Sequence, residues 1–288
     1  MKRFLSLALV LPILIFAGCK DKKTAQVQSD ASIPTEDTTG TESARFQTGA
    51  PVKIGLIAEQ ILFGAEGEIH YSYYLPENYD GKKDFPMAVV MPGYDMMWFG
   101  EKSSGKNLGW NGFTAWTKLD TEMIVVSAQL TDWHEKSARQ AIELTEYFVN
   151  NFAVDTGCVY AAGYSAGGET MSQAVSMRPD LYAAYLHGAS KWDGGYDPVA
   201  QNSVAVYIYM AEGDEYYGSD QARSAYEGLY TAYKNAGRSE TEISRVLRLR
   251  IPDNKFFNEK EIYNYHGGAN ILFDDSDNLN WIIAHKKK

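Results

Sequence analysis

One run of residues constrains this chain more than any other: Val159-Tyr-Ala-Ala-Gly-Tyr-Ser-Ala-Gly-Gly-Glu-Thr170. It opens with apolar and β-prone residues, turns sharply through Gly163-Tyr-Ser-Ala-Gly167, and continues at helical spacing. A serine placed in so tight a strand–turn–helix takes a strained backbone conformation, and its neighbours two positions away must then lack a Cβ. Gly163 and Gly167 meet that condition. The pentapeptide alone also fits a glycine-rich turn with an incidental serine; the flanking strand and helix patterns favour a presented Ser165 hydroxyl. Phosphate binding fits poorly. A phosphate loop needs Gly-Lys-Ser/Thr at its end, whereas Gly168 is followed by Glu169, and no Gly-x-Gly-x-x-Gly is present.

The ends of the chain carry different signals. Lys2 and Arg3 precede an apolar stretch from Leu5 to Phe16, too short to span a membrane as a mature helix. It closes on Phe16-Ala-Gly-Cys19, which resembles a bacterial lipoprotein lipobox. That resemblance implies a signal peptide over 1–19, lipidation of Cys19 and anchoring to the bacterial cell membrane or envelope outside the cytoplasm. An ordinary signal peptide or an uncleaved anchor is the alternative, and it too places the chain outside the cytoplasm. Residues 20–50 are polar, with almost no large apolar side chains, and read as a disordered tether. Residues 51–288 then form one catalytic domain by length. With Cys19 assigned, Cys158 stands alone and no intrachain disulfide is available. A formal charge of −10 without a basic patch argues against a nucleic-acid partner.

The rest of the domain follows an α/β rhythm. Strands are expected at Val52 to Phe63, Ile69 to Leu75, Met87 to Met91, Met123 to Ser127, Val159 onward, Tyr182 to Leu186, Val204 to Met210 and Arg245 to Ile251. Met87-Ala-Val-Val-Met91 is a continuous apolar run, as for a strand buried on both faces. Helical faces are expected between Ser137 and Phe152, after Ser165, around Ala222 to Tyr233, and from Asn278 to His285. This alternation predicts an α/β fold with a mostly parallel sheet covered by helices on both sides, and with its chemistry at the carboxyl ends of the strands.

A serine hydroxyl needs a base, and the base needs an orienting acid. His266 lies in Asn264-Tyr-His-Gly-Gly-Ala269, where glycines permit close approach, and is the favoured base. His285 reads as a surface histidine, His187 as a substrate contact at a strand end, and His70 and His134 come too early in the chain. Asp214 follows the Val204 to Met210 strand directly and is the favoured acid, with Glu212 and Glu215 as neighbouring competitors and Asp253 a more distant one. An oxyanion would be held by the N–H of Ala166 at the helix start and by a second donor from Met91-Pro-Gly-Tyr94. Pro92 has no N–H, so Gly93 or Tyr94 supplies it; losing one such donor costs about 3 kcal/mol of transition-state binding.

Placed together, these residues resemble the α/β-hydrolases of the esterase and prolyl-oligopeptidase type. The resemblance covers about residues 69–285. It includes Tyr74-Leu-Pro-Glu-Asn-Tyr-Asp-Gly-Lys-Lys-Asp-Phe-Pro, similar to secreted polyhydroxybutyrate-depolymerase-like and feruloyl-esterase-like enzymes, and continues through Gly163-Tyr-Ser-Ala-Gly-Gly, Arg178-Pro-Asp180 and Gly213-Asp-Glu. It implies Ser165, Asp214 and His266 as nucleophile, acid and base. The chain departs from the pattern at Met91-Pro-Gly, where relatives carry His-Gly. About fifteen residues separate His187 from Val204, too few for a large cap domain, so the site is expected to be open. Tyr164, Trp98, Trp133, Trp192 and Tyr217 fall near strand ends and are the candidate substrate-binding residues, suited to sugar rings or phenolic acyl groups. The reading is a surface-anchored carboxylic ester hydrolase acting on a small-molecule or glycan ester. A serine peptidase of the prolyl-oligopeptidase type, or a binding protein that keeps the fold without turnover, are the alternatives. No cofactor is implied and no metal is expected, since the five histidines are scattered without a paired spacing.

Overall fold

A computed structural model describes residues 53–287. The expected leader, tether and lipidation at Cys19 lie outside the described residues. Eight strands form one sheet in the order β1-β2-β4-β3-β5-β6-β7-β8. They are β1 (Gly55–Gly64), β2 (Gly67–Leu75), β3 (Phe85–Met91), β4 (Ile124–Gln129), β5 (Val154–Tyr164), β6 (Ala184–Gly188), β7 (Ala205–Tyr209) and β8 (Leu247–Arg250). β1 pairs antiparallel with β2, and β2 with β4. Every pairing from β4 through β3, β5, β6 and β7 to β8 is parallel. The helices are α1 (Asn111–Thr114), α2 (Glu135–Asn151), α3 (Ala166–Met177), α4 (Tyr196–Gln201), α5 (Ser219–Asn235), α6 (Glu240–Val246), α7 (Asn254–Asn258), α8 (Tyr265–Gly268) and α9 (Ser276–Ile283).

The central strands read as uninterrupted apolar runs because both faces are covered. Along β3, Met87, Val89 and Met91 enter one core with α2, α3 and α5, while Ala88 and Val90 enter a second core with α1 and α9. β5 divides the same way, Val159 and Ala161 to one side and Tyr160 and Ala162 to the other. The period of two along each strand is thus invisible as polarity and visible only as the division between the two cores. On α2, the expected stripe is in place: Ala138, Ala141, Ile142, Thr145 and Phe148 are all buried.

The sequence pattern assigns the segment from Arg245 to Ile251 to a strand, but α6 occupies its start and β8 begins only at Leu247. The cause is local. Ser239 caps α6 through the Glu242 N–H, and Glu242 returns a bond to the Ser239 N–H, so the helix persists until Val246. The strand expected from Tyr182 is also shifted, since β6 runs Ala184–Gly188 and ends on the buried His187 and Gly188.

Parallel order has one consequence for function. β3, β5, β7 and β8 all deliver their carboxyl ends to the same edge of the sheet. The turns after β3 and β5, the loop after β7 and the segment after β8 therefore converge there.

Candidate active site

Ser165 stands between β5 and α3 with φ 54° and ψ −125°, a conformation disfavoured for a residue with a Cβ. The two glycines around it are dictated by space. A Cβ on Gly163 would lie 2.4 Å from the Gly167 carbonyl oxygen, and one on Gly167 would lie 2.3 Å from the Met91 carbonyl oxygen. These are backbone atoms, so no side chain can swing aside. The Ser165 N–H donates to the Gly188 carbonyl at 3.0 Å, and the Ser190 hydroxyl donates to the Ser165 carbonyl at 2.8 Å. The strained turn is thereby fastened to the β6 end.

Ser165 Oγ lies 2.9 Å from His266 Nε2, and His266 Nδ1 lies 2.8 Å from Asp214 Oδ2. With Asp214 as carboxylate, Nδ1 carries the proton and Nε2 presents its lone pair to the serine. The Asp214 side chain is fully buried and its second oxygen accepts the N–H groups of Tyr216 (3.0 Å) and Tyr217 (2.8 Å). Burial by itself raises the Asp214 carboxyl; the His266 hydrogen bond, the Tyr217 and Tyr216 N–H groups and the His266 charge outweigh it and hold the carboxyl below its ordinary value.

His266 rides on α8, a single turn where a plain loop was expected. Both oxygens of Glu215 cap the start of that turn, accepting the N–H of Tyr265 and of His266 at 2.8 Å each. Desolvation raises the Glu215 carboxyl, and these two N–H groups bring it net below its ordinary value. The Tyr164 hydroxyl donates to the His266 carbonyl, and its ring stacks near the imidazole at 5.8 Å. Glu215 is a rival acid by sequence position, yet its carboxylate serves the backbone of the histidine turn instead. Glu212 contributes its N–H to the Pro252 carbonyl at 2.9 Å, and the Asp253 side chain caps α7 through the Phe256 N–H at 2.9 Å.

The other histidines are placed away from the serine. His187 is fully buried, its Nδ1 2.7 Å from the Tyr185 hydroxyl and its Nε2 3.1 Å from the Ser190 carbonyl, and burial lowers it to about 4. It lies beneath the elbow, fully buried and outside the lining of the cavity beside Ser165, not at the surface position expected of a substrate contact. His285 sets its ring nitrogens against the Trp281 and Arg245 carbonyls, at 2.8 and 3.0 Å.

Ser165 opens into a cavity of about 490 Å³ bordered by Gly93, Tyr94, Trp133, Tyr164, Ala166 and Tyr217, among others. Ala166 is the first residue of α3 and Tyr94 the first of a short 3-10 turn, Tyr94–Met96. The first N–H groups of a helix have no intrahelical acceptor. Both are therefore suited to meet an oxyanion beside Ser165. Gly93 passes so close that a Cβ there would lie 3.4 Å from the Ser165 Cβ.

Of the aromatic candidates, Tyr164, Trp133 and Tyr217 border the cavity. Trp98 does not: it stacks on His70 with ring centroids 3.5 Å apart. Trp192 does not either, because it packs on Tyr185, His187 and Tyr196 and its indole N–H donates to the Gly194 carbonyl at 2.9 Å. Both brace loops. Sequence reasoning missed Glu169, Asp95, Asn264 and Asn270 in the cavity wall. Glu169 was legible only as a residue hostile to phosphate; its position one helical turn beyond Ser165 was the available signal. Burial pushes its carboxyl up against the lowering effect of the Tyr217 hydroxyl and of Lys191. Among the described residues, no group of three or more His, Cys, Asp or Glu side chains is arranged to hold a metal ion, and no helix is long and apolar enough to cross a membrane.

Residues 127–241 match the model of the prolyl oligopeptidase family. No curated protein sequence matches the chain. Among solved structures, a thermostable esterase superposes with a TM-score of 0.66 at 17% identity, over 81% of this chain and 63% of that one. Oligopeptidase B from Leishmania major gives 0.51 at 14% identity, over 80% of this chain and 37% of that one. A ferulic acid esterase gives 0.50 at 15% identity, over 75% of this chain and 98% of that one. The chain thus spans less than two thirds of the length of the first two and nearly all of the third. With its sheet order, its parallel core and the strained serine turn between β5 and α3, the chain has the α/β-hydrolase fold.

Proposed function

We propose that this protein is a serine hydrolase that cleaves carboxylic esters through an acyl-enzyme on Ser165. The observation that carries the reading is the unbroken chain of contacts from Ser165 Oγ to His266 to Asp214, 2.9 and 2.8 Å long, in a strained turn that opens on a cavity. Ser165 Oγ attacks the ester carbonyl while His266 Nε2 takes its proton. Asp214 stabilises the imidazolium that forms, without taking the proton itself. The N–H groups of Ala166 and of Tyr94 or Gly93 receive the oxyanion, and His266 returns the proton to the departing alcohol. Water then repeats the sequence and releases the acid.

Aromatic walls from Tyr94, Trp133 and Tyr217 suit flat acyl or sugar groups, which favours acylated glycans or phenolic esters. The match to the prolyl oligopeptidase family supports a second reading, amide cleavage by the same residues. Initial rates on 4-nitrophenyl acetate and on glycyl-prolyl 4-nitroanilide separate the two. Ester turnover that exceeds anilide turnover by orders of magnitude is expected; the reverse order would establish a peptidase.

The proposal extends to location. The lipobox-like Phe16-Ala-Gly-Cys19 supports a lipid anchor at Cys19 that holds the enzyme to the outside of a bacterial membrane. Metabolic labelling with a fatty-acid analogue should mark the wild-type chain and fail on Cys19→Ser; equal labelling of both would refute the anchor.

A further inference from the structure

Glu169 is not needed by the mechanism above, yet it occupies the wall of the same cavity with its side chain only 5% exposed. Each of its carboxylate oxygens is committed. Oε1 accepts the Tyr217 hydroxyl, and Oε2 lies 3.2 Å from the Lys191 ammonium, which is itself 3.3 Å from Asp193. Burying a carboxylate beside a nucleophile is costly unless its partners are well placed.

Tyr217 is fixed from its other end as well. Its N–H donates to Asp214 Oδ1 at 2.8 Å, and its ring meets the His266 imidazole edge-on at 5.5 Å. Tyr217 and Ser165 border the same cavity. A phenol has one proton and two lone pairs. Because the proton goes to Glu169, the phenol oxygen has only its acceptor side left for a group bound in the cavity.

We propose that Glu169 and Tyr217 form a specificity-determining pair: Glu169 holds the Tyr217 hydroxyl proton, so that the phenol oxygen accepts a hydrogen bond from a hydroxyl neighbouring the scissile ester. Tyr217 touches the substrate, and Glu169 is a positioning residue that acts through it. The class selected is the monoester of a vicinal diol, as found in partially acylated polyols and sugars. This inference rests on the serine-hydrolase reading of Ser165 and narrows its substrate.

The test compares 2-hydroxyethyl acetate with ethyl acetate in a pH-stat, using the full chain and its Tyr217→Phe and Glu169→Leu variants, the latter chosen because a leucine has no acceptor for the Tyr217 proton. Fluorophosphonate labelling of Ser165 is followed in parallel. Wild type should favour the hydroxylated ester in kcat/KM by about tenfold, the value of one neutral hydrogen bond. Either substitution should bring that ratio to about one, and the double variant should take it no further. A merely structural role would slow both esters alike and leave the ratio in place. Tyr217→Phe alone decides the matter if Glu169→Leu fails to fold. A wild type that labels at Ser165 but shows no preference, or variants that keep the preference, would overturn the pair while leaving the hydrolase intact. A folded wild type that does not label would remove the hydrolase reading, and this inference with it.

Discussion

Ser165 and Asp214 are each defined by what surrounds them. Ser165 is held with a positive φ, and Asp214 is a buried carboxylate with three hydrogen bonds, one from His266 and two from backbone N–H groups. In the Asp214→Asn variant the amide stabilises neither the imidazolium nor the correct imidazole tautomer. Its kcat should fall by roughly 10³–10⁴-fold with binding little changed. The same residue sets a pH dependence of stability. Its folded value lies below the ordinary 3.8, so the stabilisation is fully present above that value and is lost as pH falls through the lowered one. Thermal melts of wild type and Asp214→Asn should therefore differ most between about pH 5 and 7, begin to approach each other below about pH 4, and converge only once the pH lies below the lowered value. A gap that widened on acidification would contradict this linkage.

Ser165, His266 and Asp214 were legible as residue types in the right chain order. Side-chain direction was not. Trp98 and Trp192 occupy loops near strand ends, as Trp133 does, yet one faces His70 and the other faces Tyr185 and His187. A loop fixes where a residue begins, while packing fixes where its ring ends.

At the scale of elements, the turn between β5 and α3 is the part most tightly specified. The Met91 and Pro92 carbonyls at the end of β3 lie where a Gly167 Cβ would stand, at 2.3 and 2.5 Å. Gly167→Ala should therefore cost about 3 kcal/mol and lower Tm by roughly 6–12 °C. A Cβ on Gly109 would meet nothing within 4 Å, so that position serves as the control, with Gly109→Ala within about 0.5 kcal/mol of wild type. Equal Tm losses at the two sites would show that crowding is not what selects Gly167. The strand runs and the α2 stripe were readable because periodicity survives in the letters. The α6–β8 boundary was not read correctly, although its signal was present: Ser239 and Glu242 have the spacing of a capping box, which outweighs the β-prone residues that follow. The one-turn α8 left no periodicity to read, since a helix so short owes its existence to the Glu215 carboxylate supplied from a distant loop.

On the scale of the whole domain, the parallel sheet places four chain segments at one edge, and the site is the product of that convergence. Residues more than fifty positions apart along the chain, from Asp214 to His266, come within a hydrogen bond of each other, as do Ser165 and His266 across 101 positions. No single segment carries the chemistry, so the sequence could offer the participants and the topology alone could seat them. The antiparallel β1–β2 pair extends the sheet on the side away from β7 and β8 and lends none of its residues to the cavity lining, although His70 of β2 stacks on Trp98 in the loop after β3.

The central claim is that this convergence activates Ser165. Treating the full chain, purified in detergent, with a fluorophosphonate probe and mapping the adduct by mass spectrometry tests it most directly. Labelling at Ser165 that is absent from Ser165→Ala is the expected result. A folded wild type that stays unlabelled would contradict it and leave a hydrolase fold used for binding.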